Sequence, residues 1–269
     1  MVNSKRFNHR LRKTISNKRI NVVANLRKPL HFLLMRPSFL IIGAQKSGTT
    51  SLYYYMNQHP KILSGLKKEV HFFDGGLNEK IDSFEKGIQW YISHFPFKKS
   101  GYITGEASPL YIFNPLAAMR IFQYLPDIKI IAVLRNPTER AISHYFHEKR
   151  KGREHLPILR AFESEEERLA PTIRNKQFKS SFFKNCSYKM RGLYKEQLER
   201  YFNYFPQNNI FICSSEELFT NPEPLMKRIF QFLEIDCNIA IKDKVAKNVG
   251  HNKVNVDPVV YRYLDNYFH

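Results

Sequence analysis

The stretch "GAQKSGTTS" (residues 43–51) sets a lysine, Lys46, and four hydroxyls, Ser47, Thr49, Thr50 and Ser51, around two glycines. That combination binds anions: relaxed backbone at Gly43 and Gly48 turns N–H groups inward, and the lysine adds a full charge. In the triphosphate loop, G-x-x-x-x-G-K-[ST], the lysine follows the second glycine and the next hydroxyl holds magnesium. Here Gly43 and Gly48 keep that spacing, but Thr49 occupies the lysine position and Lys46 lies inside the loop. A magnesium-dependent kinase therefore loses its lysine-and-metal logic. It also wants an acidic metal ligand at a strand end, where "IIAVLRNP" offers Arg135.

Two other constellations carry chemistry. In "KKEVHFFD" (67–74), Glu69 is a candidate general base, two residues before His71. An extended backbone would point both to one side. On the residues alone, Glu69 reads more readily as a solvated surface carboxylate and His71 as a packed edge histidine. In "VLRNPTERAISHYFHEKRKG" (133–152), Arg135 ends a run of apolar residues and Ser143 follows eight residues later. A guanidinium fork and a hydroxyl converging on one phosphate is sound chemistry, though an arginine at a strand end is usually an ordinary ion pair.

Elements must bring these residues together. "SFLIIG" (38–43), "YITGE" (102–106), "IKIIAVL" (128–134) and "NIFICS" (209–214) are continuous apolar runs of the kind buried on both faces of a parallel sheet. Helical stretches separate them: "TTSLYYYMNQH", "PLAAMRIFQYL", "PTERAISHYFHEKRKG" with Pro137 in its first turn, "RGLYKEQLERYFNYF" and "PEPLMKRIFQFLEI". Tyr194, Leu198 and Phe202 fall at helical spacing and are expected in the core. Residues 153–185 read as a helical or loop excursion over one face. The alternation predicts an α/β, P-loop-like three-layer fold with a central parallel β-sheet flanked by helices.

The 269 residues suffice for one large domain, predicted over 37–269, behind a basic and flexible arm over 1–36. The formal charge is +19, and fourteen Lys or Arg residues precede the first acid, Glu69. This excess favours anionic partners, including nucleic acid, acidic lipid and polyanionic glycans, without choosing among them. The chain lacks a readable nucleic-acid recognition motif. No apolar run reaches eighteen residues, so no transmembrane helix is expected. Cys186, Cys213 and Cys237 are too dispersed for a disulfide framework or a zinc site, which points to a reducing, cytoplasmic setting.

"FLIIGAQKSGTTSLYYYMNQHP" (39–60) followed by "KEVHFFD" (68–74) resembles the sulfotransferases that use 3′-phosphoadenylyl sulfate (PAPS), in their carbohydrate, heparan sulfate-modifying branch. The resemblance runs over about residues 37–269 and implies a consistent site. Gln45, Lys46, Ser47, Gly48, Thr49, Thr50 and Ser51 would hold the 5′-phosphosulfate end of the donor, with Lys46 beside the bridging oxygen. "RNPTERAISHY" implies that Arg135 and Ser143 hold the 3′-phosphate, with Arg140 supporting the helix. Glu69 becomes the base, helped or oriented by His71. "GEASPLYIF" (105–113) resembles a stretch lining the acceptor cleft, so Lys68, Glu106, Ser108 and Tyr111 are expected to meet the acceptor. Glu106 is also a second candidate base, and equally a structural acceptor of backbone hydrogen bonds. Some heparan 3-O-sulfotransferases have a lysine where this chain has Ala107, which departs from a heparan-like acceptor. "NVGHNKVNVDP" (248–258) falls where the family closes a basic loop over the donor, implicating Gly250, His251, Asn252 and Lys253. Relatives usually continue beyond "YLDNYFH" for another helix. Arg191 and Gly192 match positions near the donor in relatives.

The expected function is sulfuryl transfer from PAPS to a hydroxyl of a carbohydrate or glycolipid acceptor, releasing 3′-phosphoadenosine 5′-phosphate, with no metal. A P-loop kinase and a basic nucleic-acid-binding protein on a degenerate nucleotide fold are the alternatives. Nucleic acid is not expected as a partner, whereas the basic arm allows peripheral contact with an anionic membrane.

Overall fold

The computed structural model describes residues 19–245 and 256–269. Five strands form one sheet: β1 (Phe39–Gly43), β2 (Ile62–Ser64), β3 (Ile103–Ala107), β4 (Lys129–Leu134) and β5 (Ile210–Ser214). Their spatial order is β2-β3-β1-β4-β5 and every pairing is parallel. The α/β three-layer expectation therefore holds, with β2 added. Three residues, "ILS", are too short to show a strand period.

The central strands are buried on both faces because neighbouring side chains point opposite ways. Phe39, Ile41, Ile131 and Val133 pack with helix α1 (Thr49–Met56) on one face. Leu40, Ile42, Ile130 and Ala132 face α2 (Ile88–Ile92) and α3 (Ala117–Tyr124) on the other. β5 is an edge strand, and its Ile212 is exposed. The strand ends feed the site: β1 runs into the loop before α1, and β4 into α4 (Pro137–Arg150), which begins with Pro137 and an Asn136 cap on the Glu139 N–H.

Residues 153–185 contain α5 (Ile158–Glu163), α6 (Glu165–Arg174) and α7 (Ser181–Asn185). Beyond them come α8 (Tyr194–Phe202), α9 (Ser215–Thr220), α10 (Pro222–Phe232) and α11 (Pro258–Phe268). On α8 the fully buried face is Gln197 and Tyr201; Tyr194 and Leu198 are only partly buried and Phe202 is exposed. Tyr194 and Leu198 pack against the core as expected, and Phe202 does not. The proposed arm is partly built: residues 19–27 are helical, Lys28–Leu33 form a 3₁₀ turn, and Leu34 bridges to Phe97.

Candidate active site

One cleft of about 1380 Å³ opens at the carboxyl ends of β1 and β4, where open α/β sheets bind ligands. It brings together Gln45, Lys46, Gly48, Thr49, Thr50, Glu69, His71, Arg135 and Ser143. Eight Lys or Arg residues line it against four Glu, so its charge suits a polyanion.

The loop is built around two left-handed residues, Lys46 (φ 73°) and Gly48 (φ 100°). Gly48 starts α1 without a side-chain cap, and the first turn contains no acid. The N–H groups of that turn have no acceptors within the helix. A Cβ at Gly48 would also meet the Phe219 ring at 2.9 Å, so a side chain there is excluded twice. Lys46 is pushed down to about 8, first by burial and then by the positive charges of Arg150, Lys151 and Arg135. Four cations around one site are repulsive until an anion enters. Ser47 and Ser51 are fully buried and do not line the cleft, against the expectation that their hydroxyls face it, whereas Thr49 and Thr50 do line it.

Glu69 sits in a chain of charged contacts. Lys68 Nζ lies 2.6 Å from its Oε1, and the same ammonium donates to Thr50 Oγ1 at 3.1 Å. His71 Nε2 meets Glu69 Oε2 at 3.2 Å, while His71 Nδ1 meets the buried Asp74 Oδ2 at 2.6 Å. Burial would raise the Glu69 carboxyl, but the His71 hydrogen bond and the Lys68 charge reverse this and hold it at about 2. Burial would lower His71, but Asp74 outweighs it and, with Glu69, lifts the imidazole to about 9. An Asp74–His71–Glu69 relay with a cationic centre results. His71 is left-handed (φ 56°), so its approach to Glu69 comes from a turn and not from the extended alternation expected.

Three residues expected on the acceptor face are structural. Glu106, Ser108 and Tyr111 are fully buried and do not line this cleft. Glu106 accepts from Tyr91 OH (2.8 Å), Tyr111 OH (2.8 Å), Ser108 Oγ (2.7 Å) and Val70 N–H (2.8 Å). Ser108 Oγ accepts from His71 N–H at 3.2 Å, and Tyr111 OH from Phe72 N–H at 3.0 Å. The trio straps the Glu69–Phe72 segment to the end of β3, which removes Glu106 as a candidate base.

On the other wall, Arg135 pairs with Glu139 at 2.9 Å, and Tyr194 OH donates to the Arg135 carbonyl at 2.9 Å. Arg140 is fully buried and donates to the Tyr188 carbonyl, the supporting role expected. Arg191 is buried, donates to Gln45 Oε1 and to the Lys184 carbonyl (2.7 Å), and lines the cleft. Burial, followed by the Arg140 charge, pushes it down to about 9. Sequence reasoning missed Asp74, Arg150, Lys151, Arg153, Lys184 and Lys244. Asp74 stood in the quoted "KEVHFFD", but only the fold shows it behind His71. Gly250, His251, Asn252 and Lys253 lie outside the described residues.

An open parallel sheet with an anion loop at its switch point defines a P-loop-like α/β class, and the sequence comparison makes it specific. The Sulfotransferase domain family matches residues 36–261, and the chain belongs to that family. It is 29% identical over 308 residues to the membrane-associated sulfotransferase kil1 of Dictyostelium discoideum, covering 88% of this chain and 64% of that protein. It is 30% identical over 267 residues to heparan sulfate glucosamine 3-O-sulfotransferase 5 of Mus musculus, covering 89% of this chain and 71% of that enzyme. A crystal structure of a sulfotransferase from Alicyclobacillus acidocaldarius matches with a TM-score of 0.71 at 30% identity, covering 87% of this chain and 92% of that one. The likeness to a membrane-associated protein overturns the cytoplasmic placement expected from the cysteines. Dispersed thiols report the lack of a disulfide framework, not a compartment. Among the described residues, no helix is long and apolar enough to cross a membrane.

Proposed function

We propose that the protein transfers the sulfuryl group of PAPS to a hydroxyl of a carbohydrate or glycolipid. The observation that carries this is one cleft in which the Lys46 loop, Glu69 and His71, with Asp74 behind it, face Arg135 and Ser143. Family membership and the similarity to a heparan sulfate sulfotransferase support the donor and the acceptor class. The similarity to kil1 makes membrane association part of the reading.

The residues divide the work. The loop N–H groups, Thr49 and Thr50 hold the 5′-phosphate, and Arg135 with Ser143 holds the 3′-phosphate. The acceptor oxygen attacks sulfur and its proton passes to Glu69. The bond from sulfur to the bridging oxygen breaks, and its electron pair leaves with the 5′-phosphate, where Lys46 balances the new charge. Fixed positive charge placed where negative charge develops is commonly the largest catalytic term. A carboxylate held at about 2 stays ionised at working pH, and His71 fixes its direction. Because so low a pKa makes a weak base, proton transfer late in sulfuryl transfer is expected.

The test is a screen of labelled PAPS against glycan and glycolipid acceptors, with Glu69→Gln alongside. Label should enter an acceptor with the parent protein, and the variant should bind 3′-phosphoadenosine 5′-phosphate normally yet transfer nothing. Binding that ignores the 3′-phosphate and favours ATP with magnesium would sink the proposal.

A further inference from the structure

The N-terminal part of the described chain turns its apolar side outward. In the helical residues 19–27, Val22, Val23 and Leu26 share a face by three- and four-residue spacing, and they are 57%, 40% and 73% exposed. The opposite side docks on the body instead: Ala24 is fully buried, and Arg27 donates to the Phe95 carbonyl at 2.5 Å. The 3₁₀ turn that follows adds exposed Leu30, Phe32 and Leu33. Phe97, also exposed, joins the same surface, because Lys98 N–H donates to the Leu33 carbonyl at 2.8 Å and Arg27 lies over the Phe97 ring.

The helix buries an alanine, Ala24, and leaves its larger apolar side chains Val22 and Leu26 in solvent. Contiguous exposed apolar side chains of this kind mark interaction surfaces. The charges around them are one-sided. Exposed Lys28 donates to the carbonyl of exposed Lys86, Lys98 is tied to Leu33, and Arg19, Arg36 and Lys99 are exposed next to these segments in sequence, with Glu85 beside Lys86. Six more Lys or Arg residues stand between Lys5 and Lys18, and the sequence contains no acid before Glu69. A second copy of this chain would set like charge against like charge. An anionic lipid interface offers both matching features, acyl chains for the apolar face and headgroups for its basic rim.

We propose that the face formed by Val22, Val23, Leu26, Phe32, Leu33 and Phe97 is a lipid-binding surface that inserts shallowly into an anionic bilayer. It is separate from the transfer site, because none of these residues lines the cleft. The surface lies on the body itself, so insertion would hold the catalytic domain against the bilayer.

The test uses the full chain with vesicles of phosphatidylcholine, with and without phosphatidylserine. The protein should co-sediment with the phosphatidylserine vesicles and be released by salt. Leu26→Glu with Phe32→Glu should weaken that binding roughly tenfold or more, while binding of 3′-phosphoadenosine 5′-phosphate stays unchanged as the control for folding and for the separate transfer site. Leu26→Trp needs no disruption. Its emission should shift to the blue and be quenched by acyl-brominated lipid, against the background of the buried Trp90. Vesicle binding without quenching would leave only diffuse electrostatics and overturn the proposal. So would self-association in solution that the double variant abolishes without any vesicle binding.

Discussion

Lys46 carries a conflict that a substrate resolves. Burial, and then three neighbouring cations, bring its ammonium to about 8 in the free protein, so it titrates where kcat/KM is read. The alkaline limb of kcat/KM should fall near that value. The limb of kcat should lie higher, because a bound polyanion restores the proton. Lys46→Ala should lower turnover roughly a hundredfold or more; a folded variant with near-normal turnover removes the role assigned to it. His71 gives a second titration of opposite origin. Its folded value of about 9 lies above the ordinary imidazole near 6.5. The stabilisation from its charged pairs is therefore complete below the unfolded value and is lost as pH rises through about 9. Asp74→Asn should lower the imidazole, shown by NMR titration of the ring, and move the alkaline limb of activity downward; an unmoved ring resonance refutes the relay. That Lys46, Glu69, Arg135 and Ser143 share one cleft was legible through the resemblance of their short motifs to a family, where the residues alone left Glu69 and Arg135 open. Glu106 was legible as one of two readings, and its structural one is what the fold shows. Asp74 as a partner of His71 and the Arg191–Gln45 contact were not, since each depends on chain brought together by the fold.

At the scale of elements, the end of α4 tunes the loop after β1. Arg150 and Lys151 lie in its last turn and just beyond, and both depress Lys46. Replacing both by alanine should move the kcat/KM limb to higher pH even as donor affinity falls, the reverse of Asp74→Asn. β3 matters for what it straps down. Glu106→Ala would strand two tyrosine hydroxyls, a serine hydroxyl and a backbone N–H in the core. Denaturant titration should show a loss of about 3 kcal/mol; a near-neutral change would mean that the strap is dispensable. The four longer strands could be read from their β-branched runs, whereas β2 could not. Helices α5 to α7 were blurred by charge, because much of their surface faces solvent.

Over the whole molecule, the excess of cations makes ligand capture a long-range matter. Donor affinity should fall steeply with added salt, measured by titration of 3′-phosphoadenosine 5′-phosphate across ionic strengths; salt-independent affinity would leave the charge excess without a role at the cleft. The parallel sheet and its cleft were predictable because alternating strands and helices admit few topologies. The outward apolar face of residues 19–33 was not, since a basic arm and a docked helix share one composition.

The bare start of α1 reaches beyond catalysis. A helix whose first turn contains neither a capping side chain nor an acid is unfinished as a piece of architecture. The anion that enters the loop then completes the fold as well as beginning the reaction. Inorganic sulfate or phosphate, which can undergo no transfer, should already raise the melting temperature by mass action, where chloride at equal ionic strength does not.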